Sequence, residues 1–128
     1  MNENHYTGNL TADPEVRPIS SGGVVVRFRI AINGRRHNGQ QWVNREPIFK
    51  NVVCFRKLAD NAAASLRSGM AVTVVGTEVD DSWKPADGDK ITRTVIEAVN
   101  VSVSLLNATV EVTRNTREQR EPVAAATN

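Results

Sequence analysis

Apolar residues recur with period two over most of this chain. Val26, Phe28, Ile30 and Ile32 alternate with Val25, Arg27, Arg29 and Ala31, the pattern of a strand with one apolar and one basic face. Ile48 to Arg56 reads as another strand. Phe49, Asn51, Val53 and Phe55 share one of its sides, and Ile48, Lys50, Val52 and Cys54 share the other. Ala71 to Asp80, rich in Val and Thr, and Ile91 to Val103 read as two more. His5 to Leu10 reads as a polar first strand. Ser20-Ser21-Gly22-Gly23 and Asp87-Gly88 supply turns between these runs. Asn33 to Arg45 reads as a long, polar, basic connection, and loops of that length in small domains tend to be functional. Helical character is confined to Lys57–Arg67, where Leu58, Ala62 and Leu66 recur four residues apart before the stop at Ser68-Gly69.

The order is strand, strand, strand, helix, strand, strand. It predicts an all-β OB-fold: a five-stranded Greek-key barrel with one helix between strands 3 and 4, whose sheet face and loops bind oligonucleotides. At 128 residues, 40% hydrophobic and 23% charged, the chain has the composition of one ordinary globular domain. We expect that domain to occupy residues 1–112. Residues 113–128 lack apolar periodicity and are expected to be a short disordered tail.

Charge changes the picture more than composition does. Between Arg17 and Arg67 ten Lys or Arg face two acids, Glu46 and Asp60. Between Glu78 and Asp89 five acids face Lys84 alone. A basic half suits a polyanionic partner such as nucleic acid, although exposed strand faces also carry charge for solubility. One cysteine, Cys54, leaves no internal disulfide framework and fits a reducing cytoplasm. No apolar run approaches the ~20 residues that span a bilayer, and the N-terminus shows no export signal.

Little in the sequence points to catalysis, and the reading is a non-enzyme. There is no phosphate-binding Gly-x-x-x-x-Gly-Lys, and Gly22-Gly23 reads as a hairpin turn. His5 and His37 have no partners at metal-ligand spacing, so no metal or other cofactor is expected. Cys54 alternates with apolar residues and reads as a packed core thiol. Asp80-Asp81 reads as exposed charge at a strand end rather than a carboxylate pair or cation site.

The segment Gly8-Asn9-Leu10-Thr11-Ala12-Asp13-Pro14-Glu15-Val16-Arg17 resembles the opening motif of the bacterial single-stranded DNA-binding proteins. Gly22-Gly23 with Val24 to Ala31 and Asn51 to Ala59 follow in that family's order. So do Leu66-Arg67-Ser68-Gly69, Val74-Val75-Gly76 and Trp83. The match extends over about residues 5–106. The resemblance implies an OB-fold assembled as a homotetramer that coats single-stranded DNA, without strong sequence preference, in replication, recombination or repair. A cytoplasmic, nucleoid-associated protein with no membrane partner is expected. It places Phe49, Phe55 and Trp83 on the family's base-stacking positions and Arg17 and Lys57 on its basic ones. Stacking tolerates any sequence because every base has a π-face, and Arg can grip phosphate with two hydrogen bonds.

Beyond the matched positions, Trp42 is read as a DNA-stacking residue or a subunit anchor. Arg27, Arg29, Arg35, Arg36 and Asn51 are read as phosphate or base contacts. The sequence departs from the family in three places. Arg36 stands where the family often has an aromatic. Glu78, Asp80 and Asp81 stand where it is often basic. The chain also ends at Asn128 without the acidic tip through which the family recruits replication and repair proteins, so no such recruitment is expected. Two other readings remain open: an OB-fold protein-interaction module and an RNA-binding OB protein.

Overall fold

A computed structural model describes residues 3–33, 35–37, 39–44, 46–82 and 84–115. Among these, the strands are β1 (Asn4–Leu10), β2 (Glu15–Pro18), β3 (Val24–Ile32), β4 (Arg35–His37), β5 (Trp42–Asn44), β6 (Ile48–Phe55), β7 (Ala71–Asp80) and β8 (Thr94–Val103). One helix, α1 (Arg56–Ser65), lies between β6 and β7. Hydrogen bonding runs in the order β1-β7-β8-β6-β3, and β1 also pairs with β3, so five strands close on themselves. This is the OB-fold barrel. β2 adds to the side of β3, and β4 and β5 form a separate two-stranded ribbon. β6 and β8 pair in parallel, and the other barrel pairs are antiparallel.

The alternation in β3 explains which way its residues point. Val26 and Ile30 are fully buried and Phe28 nearly so, while Arg27 and Arg29 face out. Val52 and Cys54 of β6, Val72 and Val74 of β7 and Ile96 of β8 complete the interior. Each large apolar side chain removed from water in this way contributes about 1.5–3 kcal/mol. Cys54 is fully buried, and burial pushes its thiol up to about 11. The helix presses Ala59 and Ala62 onto the barrel, and Leu66 follows them into the core. Small residues at these two helix positions let α1 sit close to β3, β6 and β8. Arg67 donates to the carbonyls of Ala63 and Leu66 at 3.1 and 2.6 Å, satisfying acceptors that the helix end leaves open.

Most of the Gly8–Arg17 motif serves this architecture. β1 pairs with β7 from Asn4 to Asn9 and then with β3 through Asn9 and Leu10. Gly8 lies at that corner, where a Cβ would stand 2.6 Å from the Ala31 carbonyl oxygen. Asn9 donates to the Gly69 carbonyl at 3.1 Å, and Asp13 accepts from the Ser68 amide at 2.8 Å. Leu10 exchanges backbone bonds with Gly69 and Met70. The motif thus ties the first strand to the turn that leaves the helix.

Inward-facing rows also end in charge. Lys50 is opposite buried Ile30, and Glu78 is opposite buried Ile96, so both point along the interior rows. They meet at 2.7 Å, an ion pair lying over the end of the core.

The sequence misses two features and blurs two boundaries. β2 was not expected, because all four of its residues are exposed and carry no alternation. The expected long connection contains the β4–β5 ribbon. The last strand begins at Thr94 rather than Ile91, and the helix spans Arg56–Ser65 rather than Lys57–Arg67. Most of the expected tail lies outside the described residues; Thr113 to Asn115 are exposed and have no regular structure.

Candidate nucleic-acid interface

Strand pairing decides which side chains share a face, because partners across a ladder point to the same side. Phe49 is opposite Ala31, Asn51 opposite Arg29, Val53 opposite Arg27 and Phe55 opposite Val25. On the other side of β3, Arg27 is opposite Glu15 and Val25 opposite Arg17. Arg17, Arg27, Arg29, Phe49, Asn51 and Phe55 therefore lie on one outer face formed by β2, β3 and β6. Six of the residues expected from sequence converge there.

The two rings differ. Phe49 is 49% exposed, a large value for an aromatic on a strand. The Arg29 guanidinium carbon sits 4.6 Å from its ring centroid, a cation–π contact that covers part of the ring and holds a positive charge beside it. Phe55 is half-buried and lines a cleft of about 450 Å³ with Ile19, Gly22, Gly23, Val24 and Arg56. Arg56 has φ of 59°, left-handed backbone that a non-glycine residue adopts at a cost, at the junction where β6 becomes α1.

The cations of this face are already engaged. Arg17 donates to Glu15 through Nε at 2.9 Å and through Nη2 at 2.6 Å. Arg27 lies 3.7 Å from the Asp81 carboxylate, and Arg93 lies 3.2 Å from the same oxygen. All these side chains are partly or largely exposed, and exposed ion pairs contribute only ~0–1 kcal/mol. Arg27, Arg29, Asn51 and Arg93, with Glu15, line a notch of about 320 Å³ on the outer face.

Arg93 was not singled out from sequence. Its contact with Asp81 depends on the strand end and the residues before β8 being side by side, where the Asp81 amide donates to the Arg93 carbonyl at 2.9 Å. The only available signal was a cation just ahead of a Val-rich strand. The acids that depart from the family pattern are also accounted for. Glu78 pairs with Lys50, Asp81 with the two arginines, and Asp80 accepts from the Ser82 hydroxyl at 2.5 Å. That hydrogen bond holds the Asp80 carboxyl below its usual range.

The remaining expected residues lie elsewhere. Lys57 is exposed in the first turn of α1, off the sheet. Arg35, Arg36 and Trp42 belong to the β4–β5 ribbon, in which Arg36 pairs with Val43 and Trp42 with His37. Trp83 lies outside the described residues, as do the side chains of Arg35, Arg36 and Trp42. Among the described residues, no group of three or more His, Cys, Asp or Glu is arranged to hold a metal ion. No helix among them is long and apolar enough to cross a membrane.

Residues 1–105 match the Single-strand binding protein family. The chain is 38% identical over 112 residues to single-stranded DNA-binding protein 1 of Tropheryma whipplei, covering 86% of this chain and 60% of that protein. It is 40% identical over 112 residues to a single-stranded DNA-binding protein of Corynebacterium glutamicum, covering 86% of this chain and 50% of that one. The chain thus spans between half and two thirds of the length of these curated relatives. Among solved structures, the small single-stranded DNA-binding protein of Streptomyces coelicolor superposes with a TM-score of 0.68 at 30% identity. That match covers 81% of this chain and 94% of the other. A Plasmodium falciparum protein solved with single-stranded DNA shares the fold, with a TM-score of 0.71 at 18% identity, over 81% of this chain and 95% of that one.

Proposed function

This chain belongs to the single-strand binding protein family, and from that premise we propose that it binds and coats single-stranded DNA without strong sequence preference. The reading is of a non-catalytic protein acting in replication, recombination or repair, in the cytoplasm and at the nucleoid. The observation that carries it is the outer face of β2, β3 and β6. There an exposed Phe49 ring, Asn51 and the guanidinium groups of Arg17, Arg27 and Arg29 share one surface.

The chemistry follows from the ligand. Unpaired bases expose flat π-faces that paired bases hide. A half-exposed ring on a rigid strand offers them a platform at little entropic cost, and each stacked base contributes about 1–3 kcal/mol. Arg29, held against Phe49, adds a cation beside the stacked base. Phe55 in its cleft and Trp42 and Trp83 extend the set of proposed stacking residues. Arg35, Arg36 and Lys57 extend the phosphate contacts.

Assembly as a homotetramer is part of the proposal. One strand that engages several subunits multiplies weak individual sites through effective concentration.

Titration with oligo-dT, read by the fluorescence of Trp42 and Trp83, tests the reading. We expect saturable binding, stronger than to a duplex or to RNA of equal length. Four to six phosphate contacts would give a slope of log K against log salt of about −3 to −4. Unchanged emission with no complex at low salt would overturn the reading, and a preference for RNA would redirect it.

A further inference from the structure

We infer that Asp81 is a built-in competitor for DNA phosphate, occupying in the free protein a seat formed by Arg27 and Arg93 that the nucleic acid must take over. The inference rests on the single-stranded DNA-binding reading and adds to it a residue that sets affinity.

The geometry is specific to this chain's own residues. One carboxylate oxygen of Asp81 faces two guanidinium groups, Arg93 Nε at 3.2 Å and Arg27 Nη1 at 3.7 Å. Arg27 belongs to β3, whereas Arg93 precedes β8 and Asp81 follows β7. The seat is therefore assembled from three separate segments. Backbone pairing fixes two of them, since the Asp81 amide donates to the Arg93 carbonyl at 2.9 Å. Both arginines also line the outer-face notch, together with Arg29 and Asn51.

An oxyanion bridging two arginines is what a backbone phosphate would supply at that point. Asp81 presents the same charge and the same acceptor atoms from within the chain. The contact is partly exposed, with Arg27 43%, Arg93 48% and Asp81 29% accessible, so water and salt already weaken it. A strand whose bases are stacked nearby on Phe49 brings its phosphates to the notch at high local concentration, and they displace the carboxylate. Glu15 lines the same notch, and Arg17 engages its carboxylate at 2.6 Å. Such a competitor lowers affinity and speeds release without altering the stacking surface.

The test is a set of oligo-dT titrations at low and moderate salt with the full chain. The proteins are the wild type, Asp81→Asn, the double variant Arg27→Ala with Arg93→Ala, and the triple variant. Asp81→Asn keeps the backbone bond to Arg93 and removes only the charge. It is expected to bind roughly three- to fivefold more tightly at low salt, the affinity equivalent of one surface ion pair. The gain should shrink as salt rises, because salt screens the Asp81 contact that the wild type must break. In the background lacking Arg27 and Arg93 the same change should give no such gain. Asp81→Asn binding as the wild type does, or more weakly, overturns the inference. So does a gain that survives loss of the two arginines. If neither the wild type nor Asp81→Asn binds the oligonucleotide, the DNA-binding reading itself fails; wild-type binding with no response to Asp81→Asn sinks only the competitor.

Discussion

Phe49 shows how one position can be useful because it is poorly placed for packing. On an alternating strand its side is fixed by Asn51, Val53 and Phe55, all facing away from Val52 and Cys54. A ring left half in water there gains little from burial. It is available to a ligand that needs a flat surface. Replacing it should therefore separate binding from stability. We expect Phe49→Ala to weaken oligo-dT binding by about 1–3 kcal/mol, roughly five- to 150-fold, with a nearly unchanged thermal midpoint. A large loss of stability with intact binding would show the ring to be a structural residue. At this scale the sequence was informative about direction and silent about contact. The six-residue spacing put Phe49 and Phe55 on one side. It could not say that Phe49 stays open against Arg29 while Phe55 lines a cleft beside Gly22 and Gly23. Those differences come from neighbouring strands, which local alternation does not encode.

Strands close into this barrel by bending at points where a side chain would not fit. Gly8 marks the corner at which β1 passes from β7 to β3, and Gly76 marks the irregularity between β7 and β8 after Val75. A Cβ on Gly8 would meet the Ala31 carbonyl oxygen, and one on Gly76 would meet the Glu97 carbonyl oxygen, both rigid backbone atoms. Glycine at a barrel corner or bulge is thus a requirement of closure. Gly8→Ala and Gly76→Ala should each cost about 1–3 kcal/mol, the usual scale for overpacking, and lower the melting temperature by several degrees. Gly88→Ala has only ordinary contacts with Pro85 nearby and should melt as the parent does. Calorimetry on the three variants checks this. The long elements were legible for the same reason that these glycines matter: β3 buries one complete face, so Val26, Phe28 and Ile30 could not be anything but alternating. β2 has no buried face, and the β4–β5 ribbon is three residues a side, so neither had a pattern to read. The Asp81–Arg93 contact joins residues twelve apart through backbone pairing beyond the ends of two strands, which no local window reveals.

Among the described residues, arginines crowd one outer face of the barrel, and the proposed tetramer would set several such faces around one strand. Sedimentation velocity at micromolar concentration should give the mass of four chains, and a monomer there would contradict that part of the proposal. Assembly also depends on how the barrel itself is completed. β8 is late in the chain yet central in the sheet, bonded to β7 on one side and to β6 on the other. While a ribosome is still making the polypeptide, everything before Thr94 amounts to two half-sheets joined at one edge. β1 with β7 and β2–β3 with β6 await the strand that stitches them, linked meanwhile by the short β1–β3 pairing and by side-chain contacts such as Lys50–Glu78. Folding driven by such distant pairing is slow and leaves edges exposed until it finishes. The nascent chain therefore cannot close its barrel before β8 is present, and a chain cut short before Thr94 is expected to be open to proteases and aggregation rather than to be a smaller working protein.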